Sequence, residues 1–303
     1  MSELQSFENF IMKCCELDEW DLRSMLRDKL SGAGFTIQED DYSSHRGGRY
    51  QEVHNMLAIR GKIPKVCLVS HTDVVRDHGR YGKQRKTNPV IKEVNRFGKD
   101  MRIIQDKDCQ VQLGGDDRCG VAINTWIALH TGYDMGLLFS TDEEVGGQAA
   151  DYVSFPELGN FELLAQVDRG NTERQLVTSI GSTRLCSPEV AKRLLEISNR
   201  IGMPRTPVNG LFTDVATIKG DGKCKNAVNM TCGYGNNHGN NEFIDIQEAK
   251  DTMKFVSSII QDYEMEVIEE MENREITEEE VLGDIMATQA EMQLKDDDDI
   301  VWN

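Results

Sequence analysis

Three times along this chain a short apolar run ends abruptly in residues that hold protons or cations. KVCLVS runs into His71 and Asp73, GLLFST into Asp142, Glu143 and Glu144, and ELLAQV into Asp168. Continuous apolar runs of this length suit strands covered on both faces, which belong to parallel sheets with helices above and below. Helical patterns separate them: RCGVAINTWIALH up to His130, then PEVAKRLLEISNRIG over 188–202, with Pro188 in its first turn and Gly202 at its stop. The alternation predicts an α/β fold of three layers, a mostly parallel mixed sheet flanked by helices. Ligands in such sheets sit at the carboxyl ends of the strands, where these polar residues fall.

The remaining stretches fill in around this frame. Residues 6–31 repeat apolar positions at helical spacing and close at Gly32 and Gly34, which predicts one helix. FTIQEDDY and EVHNMLAIRGK read as strands. Residues 79–112 read as a polar excursion with one strand from Pro89 to Val94. GLFTDV reads as a loop, NAVNMTCGY as a last strand, and the Gly/Asn-rich stretch after it as the loop carrying His238. IDIQEAKDTMKFVSSIIQDY reads as a long amphipathic helix.

With 303 residues and 39% apolar content, the chain can bury a substantial core. Its net charge of −18 is concentrated: residues 264–303 hold fifteen acidic residues against two basic ones, leaving only −5 for residues 1–263. We therefore expect a single catalytic domain over 1–263 and an acidic C-terminal helix or tail over 264–303, whose charged face is where a protein partner would bind. An acidic chain argues against nucleic acid as a partner. No apolar run approaches the ~18 residues needed to span a bilayer, and the N-terminus lacks a signal-peptide pattern, so no membrane role and a cytoplasmic location are expected. The eight cysteines are scattered without a CxxC pair and read as reduced thiols.

Two histidines and several carboxylates meeting at one sheet edge would repel one another unless positive charge lay between them. A pair of divalent cations answers that need, and imidazole with carboxylate ligands suits zinc. A further glutamate beside the reactive water would act as general base, and the Glu143-Glu144 pair can divide these duties.

In order along the chain, His71-Thr72-Asp73, Leu113-Gly114-Gly115-Asp116-Asp117, Thr141-Asp142-Glu143-Glu144-Val145-Gly146, Val167-Asp168 and His238 with Asn241-Glu242-Phe243 resemble the motifs of co-catalytic zinc exopeptidases. The likeness is greatest to the peptidase T family of tripeptide aminopeptidases and extends to NPVIKEV and DKDCQVQLGGDD. The resemblance implies a zinc-exopeptidase, phosphorylase/hydrolase-like fold and two zinc ions, with cobalt or manganese as substitutes. It implies that Asp116 bridges both ions, with Glu144 and His238 completing one site and His71 and Asp168 the other. It further implies that Glu143 is the general base and that Asp73 fixes the ring of His71. The substrate would be a short peptide, cleaved to a free amino acid and a shortened chain.

Two features depart from that family. His238 follows Asp168 by 70 residues, a gap already holding strands and a helix, so no separate lid and dimerisation domain of ~50 residues or more fits there. GLFTDVATIKG only partly matches the family's Gly-Gly-Thr-Asp substrate loop, which leaves Thr213 and Asp214 as its candidate substrate contacts. Cys109 and Cys119 read as packed residues, and His45, His54, His78 and His130 as structural ones, with substrate contact as the alternative for His78. The leading expectation is a lid-less dinuclear zinc metallopeptidase, an aminopeptidase acting on short peptides. The alternatives are a deacylase of N-acyl amino acids on the same metals and a non-catalytic peptide-binding protein.

Overall fold

A computed structural model describes residues 6–40, 42–46, 49–62, 64–75, 86–96, 98–170 and 173–272. The N-terminal part comprises α1 (Phe7–Glu16), α2 (Glu19–Gly32), β1 (Thr36–Glu39), β2 (Tyr42–Arg46), β3 (Arg49–Val53), β4 (Met56–Arg60) and β5 (Val66–His71). The middle holds β6 (Pro89–Arg96), β7 (Lys99–Asp106), α3 (Gly115–His130), β8 (Met135–Ser140), α4 (Gln148–Tyr152) and β9 (Leu163–Arg169). Then follow β10 (Gln175–Ile180), β11 (Thr183–Arg184), α5 (Pro188–Arg200), β12 (Thr206–Gly210) and α6 (Asp214–Gly220). The described chain closes with β13 (Ala227–Thr231), β14 (Tyr234–Gly235), β15 (Phe243–Asp245) and α7 (Ile246–Glu272).

The apolar runs form the centre of a nine-stranded mixed sheet ordered β1-β4-β8-β5-β9-β13-β10-β11, with β12 beside β10. Neighbours β8, β5, β9 and β13 are all parallel, whereas β1, β4 and β10 attach antiparallel. Every residue of β5, β8 and β13 is buried, as two covered faces demand. Alternate side chains serve two cores. Met56, Leu68, Leu137, Ala165 and Val228 pack under α1, α2, α3, α5 and α7, while Leu57, Cys67, Val69, Leu138 and Leu164 pack with α6 and the turn around Leu158. Because the four central strands run the same way, their carboxyl ends line up, and register sets His71 beside Ser140 and Arg169 beside Thr231.

The structure corrects several expectations. The predicted helix over 6–31 is two helices: the Asp18 side chain accepts the Asp21 N–H at 2.9 Å and starts α2 afresh. The excursion over 79–112 contains a second strand, β7, which pairs with β6 and β15 in a four-stranded sheet. The expected loop GLFTDV is cut short at Asp214, where the short helix Asp214–Gly220 begins. Helix α7 runs straight across the 263/264 boundary, tied down where the Asp134 N–H donates to Glu264 at 2.7 Å and Arg193 meets Glu266 at 2.6 Å. Residues 273–303 of the acidic tail lie outside the described residues. All eight cysteines are free. Among the described residues, no helix is long and apolar enough to cross a membrane.

Between Asp168 and His238, β10, β11, β12 and β13 all join the main sheet, and α5 and α6 contribute Leu194, Ile197, Val215 and Ile218 to its two cores. The described residues of that interval contain no separate domain.

Candidate metal centre

The carboxyl edge of the central strands and the start of α3 bring His71, Asp116, Glu143, Glu144, Asp168 and His238 together. Asp116 lies between the two imidazoles: its Oδ1 is 3.2 Å from His71 Nε2 and its Oδ2 is 3.2 Å from His238 Nε2. Asp168 Oδ1 lies 3.6 Å from His71 Nε2, and Glu144 Oε2 lies 2.9 Å from His238 Nε2. Two triads result, His71/Asp116/Asp168 and Asp116/Glu144/His238, in each of which the ligand atoms lie within 4.8 Å of one another. Glu143 belongs to neither triad; its Oε2 stands 4.0 Å from His71 Nε2.

Each group is held by neighbours. The His71 Nδ1 atom is 3.0 Å from the Asp73 main-chain carbonyl and 3.3 Å from the Asp73 carboxylate. That carboxylate also accepts the N–H groups of Glu143 and Glu144, which fixes the short 3-10 turn Glu143–Val145. Asp168 is clamped at both oxygens, by the Tyr234 hydroxyl at 3.1 Å and the Gln166 amide at 2.9 Å. Glu242 accepts the N–H groups of Gly114 at 2.6 Å and Asp116 at 3.1 Å, so it sets the turn that presents Asp116. Asn237 donates to Asp116 Oδ2 at 3.0 Å from the rim.

Tyr234, Gln166 and Asn237 escaped the sequence reading. Only Gln166 leaves a signal, as a polar residue in a buried apolar strand, two positions before Asp168 and hence on the same face. Thr213 and Asp214 are 1% and 0% exposed and face inward, so as substrate contacts they are corrected. The Thr213 hydroxyl donates to Gln166, and Asp214 accepts from Ser140. Cys119 is buried, with its thiol donating to the Cys232 carbonyl. His130 stacks on Trp126 and His54 lies 3.1 Å from the Asp40 carbonyl, both structural contacts. The side chain of His45 and all of His78 lie outside the described residues.

The electrostatics are those of a surplus of buried negative charge. Burial, joined by the charges of Asp168, Asp214 and Asp116, pushes the Glu143 carboxyl up to about 9 against the opposing pull of His71. Burial likewise raises Asp168 to about 7, opposed by His71 and aided by the charge of Asp116. His238, bonded to Asp116 and Glu144, is raised to about 10. Burial alone would lower His71, but the carboxylates of Asp168, Asp116 and Asp73 overcome it and raise it well above the ordinary range. Asp116, contacted by both imidazoles, is lowered in spite of its burial. Four carboxylates and two imidazoles at such distances fit divalent cations: the donor set is nitrogen and oxygen, and added positive charge would relieve the raised carboxyls.

At the level of sequence, no family model matches the chain, and no curated protein matches it. Solved structures do. Aminopeptidase PepT from Bacillus cereus superposes with a TM-score of 0.67 at 15% identity, over 84% of this chain and 97% of that one. A tripeptidase from Staphylococcus aureus gives 0.63 at 14% identity, over 84% and 97%. An aminopeptidase from the archaeon Desulfurococcus kamchatkensis gives 0.59 at 14% identity, over 84% and 94%. The chain therefore has the fold of these aminopeptidases, and the resemblance read from its motifs is matched at the level of fold.

Proposed function

We propose that the protein is a dinuclear zinc aminopeptidase acting on short peptides. One observation carries the reading: a single carboxylate, Asp116, faces an imidazole at each of its oxygens, with a further carboxylate beside each imidazole. His71 and Asp168 would hold one ion, Glu144 and His238 the other, and Asp116 both. When bound, two such ions polarise a carbonyl and make water acidic enough to attack it near neutral pH.

The chain's own residues supply the proton traffic. Glu143 takes a proton from the attacking water and delivers it to the departing amine. Its position suits that work, because Glu143 belongs to neither ligand triad and its carboxylate stands 4.0 Å from His71 Nε2, beside both. Asp73 holds the Glu143 turn and the His71 ring at once, so base and ligand keep a fixed relation. Tyr234 and Gln166 restrict Asp168 to one orientation.

Purified protein analysed for metals and incubated with free and N-acylated peptides tests the reading. Zinc at two equivalents and cleavage requiring a free N-terminus are expected. A preference for acylated substrates would move the assignment to a deacylase. Cleavage of neither, with metal bound, would leave only a binding role.

A further inference from the structure

The described residues expose six large apolar side chains: Trp20, Ile91, Tyr152, Leu211, Phe212 and Met265. Isolated ones are ordinary on a soluble surface. Leu211 and Phe212 are the consecutive pair among them, 81% and 52% exposed. They lie in the loop between β12 and α6, and that loop is fastened to the metal centre at two points.

The first point is Asp168. Thr213, next in sequence, donates its hydroxyl to Gln166 and accepts from Asn229 at 3.1 Å. Gln166 and Asn229 both bond Asp168: the Gln166 amide reaches its carboxylate, and the Asn229 amide reaches its carbonyl at 2.8 Å. The second point is the Glu143 turn. The Phe212 ring rests on Gly147 so closely that a β-carbon there would fall 2.2 Å from Phe212 Cζ. The Gly147 N–H in turn donates to the carbonyls of Asp142 at 2.9 Å and Glu143 at 3.0 Å.

Two apolar side chains are thus carried on a loop tied, through Thr213 and Gly147, to the supports of Asp168 and Glu143, with much of their surface in water. Their loop, Gly210-Leu211-Phe212-Thr213, carries no charge. An incoming apolar side chain would bury surface that the fold leaves open.

We infer that Leu211 and Phe212 form an apolar rim that receives a substrate side chain next to the scissile bond, and that the substrates are short peptides with a large aliphatic or aromatic residue there. The inference rests on the peptidase reading above.

Dipeptides carrying Leu, Phe, Ala, Gly or Asp at either position, assayed on the metal-loaded wild type and on Leu211→Ser and Phe212→Ala, test it. Leu211 is exposed enough for its variant to fold normally. At one of the two positions the wild type is expected to favour Leu or Phe over Gly by about tenfold or more in kcat/KM. Each variant should lose most of that preference through KM, its kcat/KM for Leu and Phe peptides falling about tenfold toward the value for Gly peptides. Equal slowing of all peptides, or an unchanged preference, would overturn the inference and leave the peptidase reading standing. If the wild type cleaved no peptide, the peptidase reading would fall. Calorimetric binding of leucinamide against glycinamide would then decide the rim, with a preference lost in Leu211→Ser supporting it and equal binding refuting it. A change of oligomeric mass in Leu211→Ser with peptide preference intact would identify the pair as a self-association surface and refute the proposal.

Discussion

The carboxylate of Asp73 accepts the N–H of Glu143 at 3.2 Å, so the side chain beside the His71 ring also sets the backbone of the proposed base. The same carboxylate takes the Glu144 N–H at 3.1 Å, which aligns a proposed ligand of the second ion. Asp73→Asn keeps the main-chain carbonyl against His71 Nδ1 but turns one of two acceptor oxygens into a donor facing a donor. Metal affinity should fall about 10- to 100-fold, the usual effect of losing such a supporting group. Titration against a competing chelator measures it, and wild-type affinity would mean that the carboxylate does not govern the turn.

Asp116 and Glu143 should separate binding from chemistry. Glu143→Gln preserves volume and removes the base, and is expected to lower kcat by at least about 10²-fold with metal content unchanged. Asp116→Ala should lose both ions together, because each triad needs that carboxylate. Elemental analysis after dialysis reads this directly. Chelation should lower the melting temperature of the wild type, by leaving its buried carboxylates to repel one another, and should leave that of Asp116→Ala unchanged.

The strand edge where these side chains gather could be read before any coordinates because the sheet writes itself plainly, whereas Asp116 and His238 entered through the motif resemblance. Strands covered on both faces leave uninterrupted apolar runs such as VCLVSH and LLAQVDR, and the point where each turns polar marks the edge at which ligands collect. What stayed hidden depends on contacts between distant segments. Tyr234 reaches Asp168 across 66 residues and Glu242 reaches Gly114 across 128, and neither spacing has a period. The break between α1 and α2 was legible in principle, since Asp18 is a capping residue with its partner N–H three positions on, but the apolar repeat continues across it and conceals it. Thr213 and Asp214 were legible as polar residues, whereas their inward direction is decided by Gln166, Asn229 and Ser140.

Helix α3 reaches its strand only because Gly120 has no side chain. A β-carbon there would lie 1.9 Å from the Val167 carbonyl oxygen and 2.4 Å from Asp117 Oδ1. Val167 precedes Asp168, and Asp117 accepts the His71 N–H at 3.3 Å, so the intruding methyl would press on both halves of the centre. Gly120→Ala should destabilise by about 1–3 kcal/mol, as overpacking of a tight contact does, and should also weaken metal binding. Gly32→Ala, where nothing lies within 4 Å of the added carbon, is the control and should be nearly neutral. Urea unfolding of both variants compares them, and equal midpoints would show that helix and strand have room to separate.

The last turns of α7 carry a carboxyl whose titration should be visible in the stability of the fold. Burial pushes Glu264 up to about 7, opposed by its bond from the Asp134 N–H and aided by the charge of Asp134, with Arg60 pulling the other way. A raised folded value means that the native state keeps this proton while the unfolded chain releases it near the ordinary value of 4.5. Stability from this group is therefore intact below about 4.5, falls as pH rises toward 7, and stays reduced above that. Glu264→Gln retains an acceptor for Asp134 and cannot ionise. Allowing for the partial exposure of Glu264, the variant should gain about 1–2 kcal/mol over the wild type at pH 8 and little or nothing at pH 4.5. Melting curves of the metal-loaded proteins across that range give the difference directly. A gain independent of pH would trace the effect to packing, and no gain at pH 8 would mean that Glu264 is ionised without cost in the folded chain.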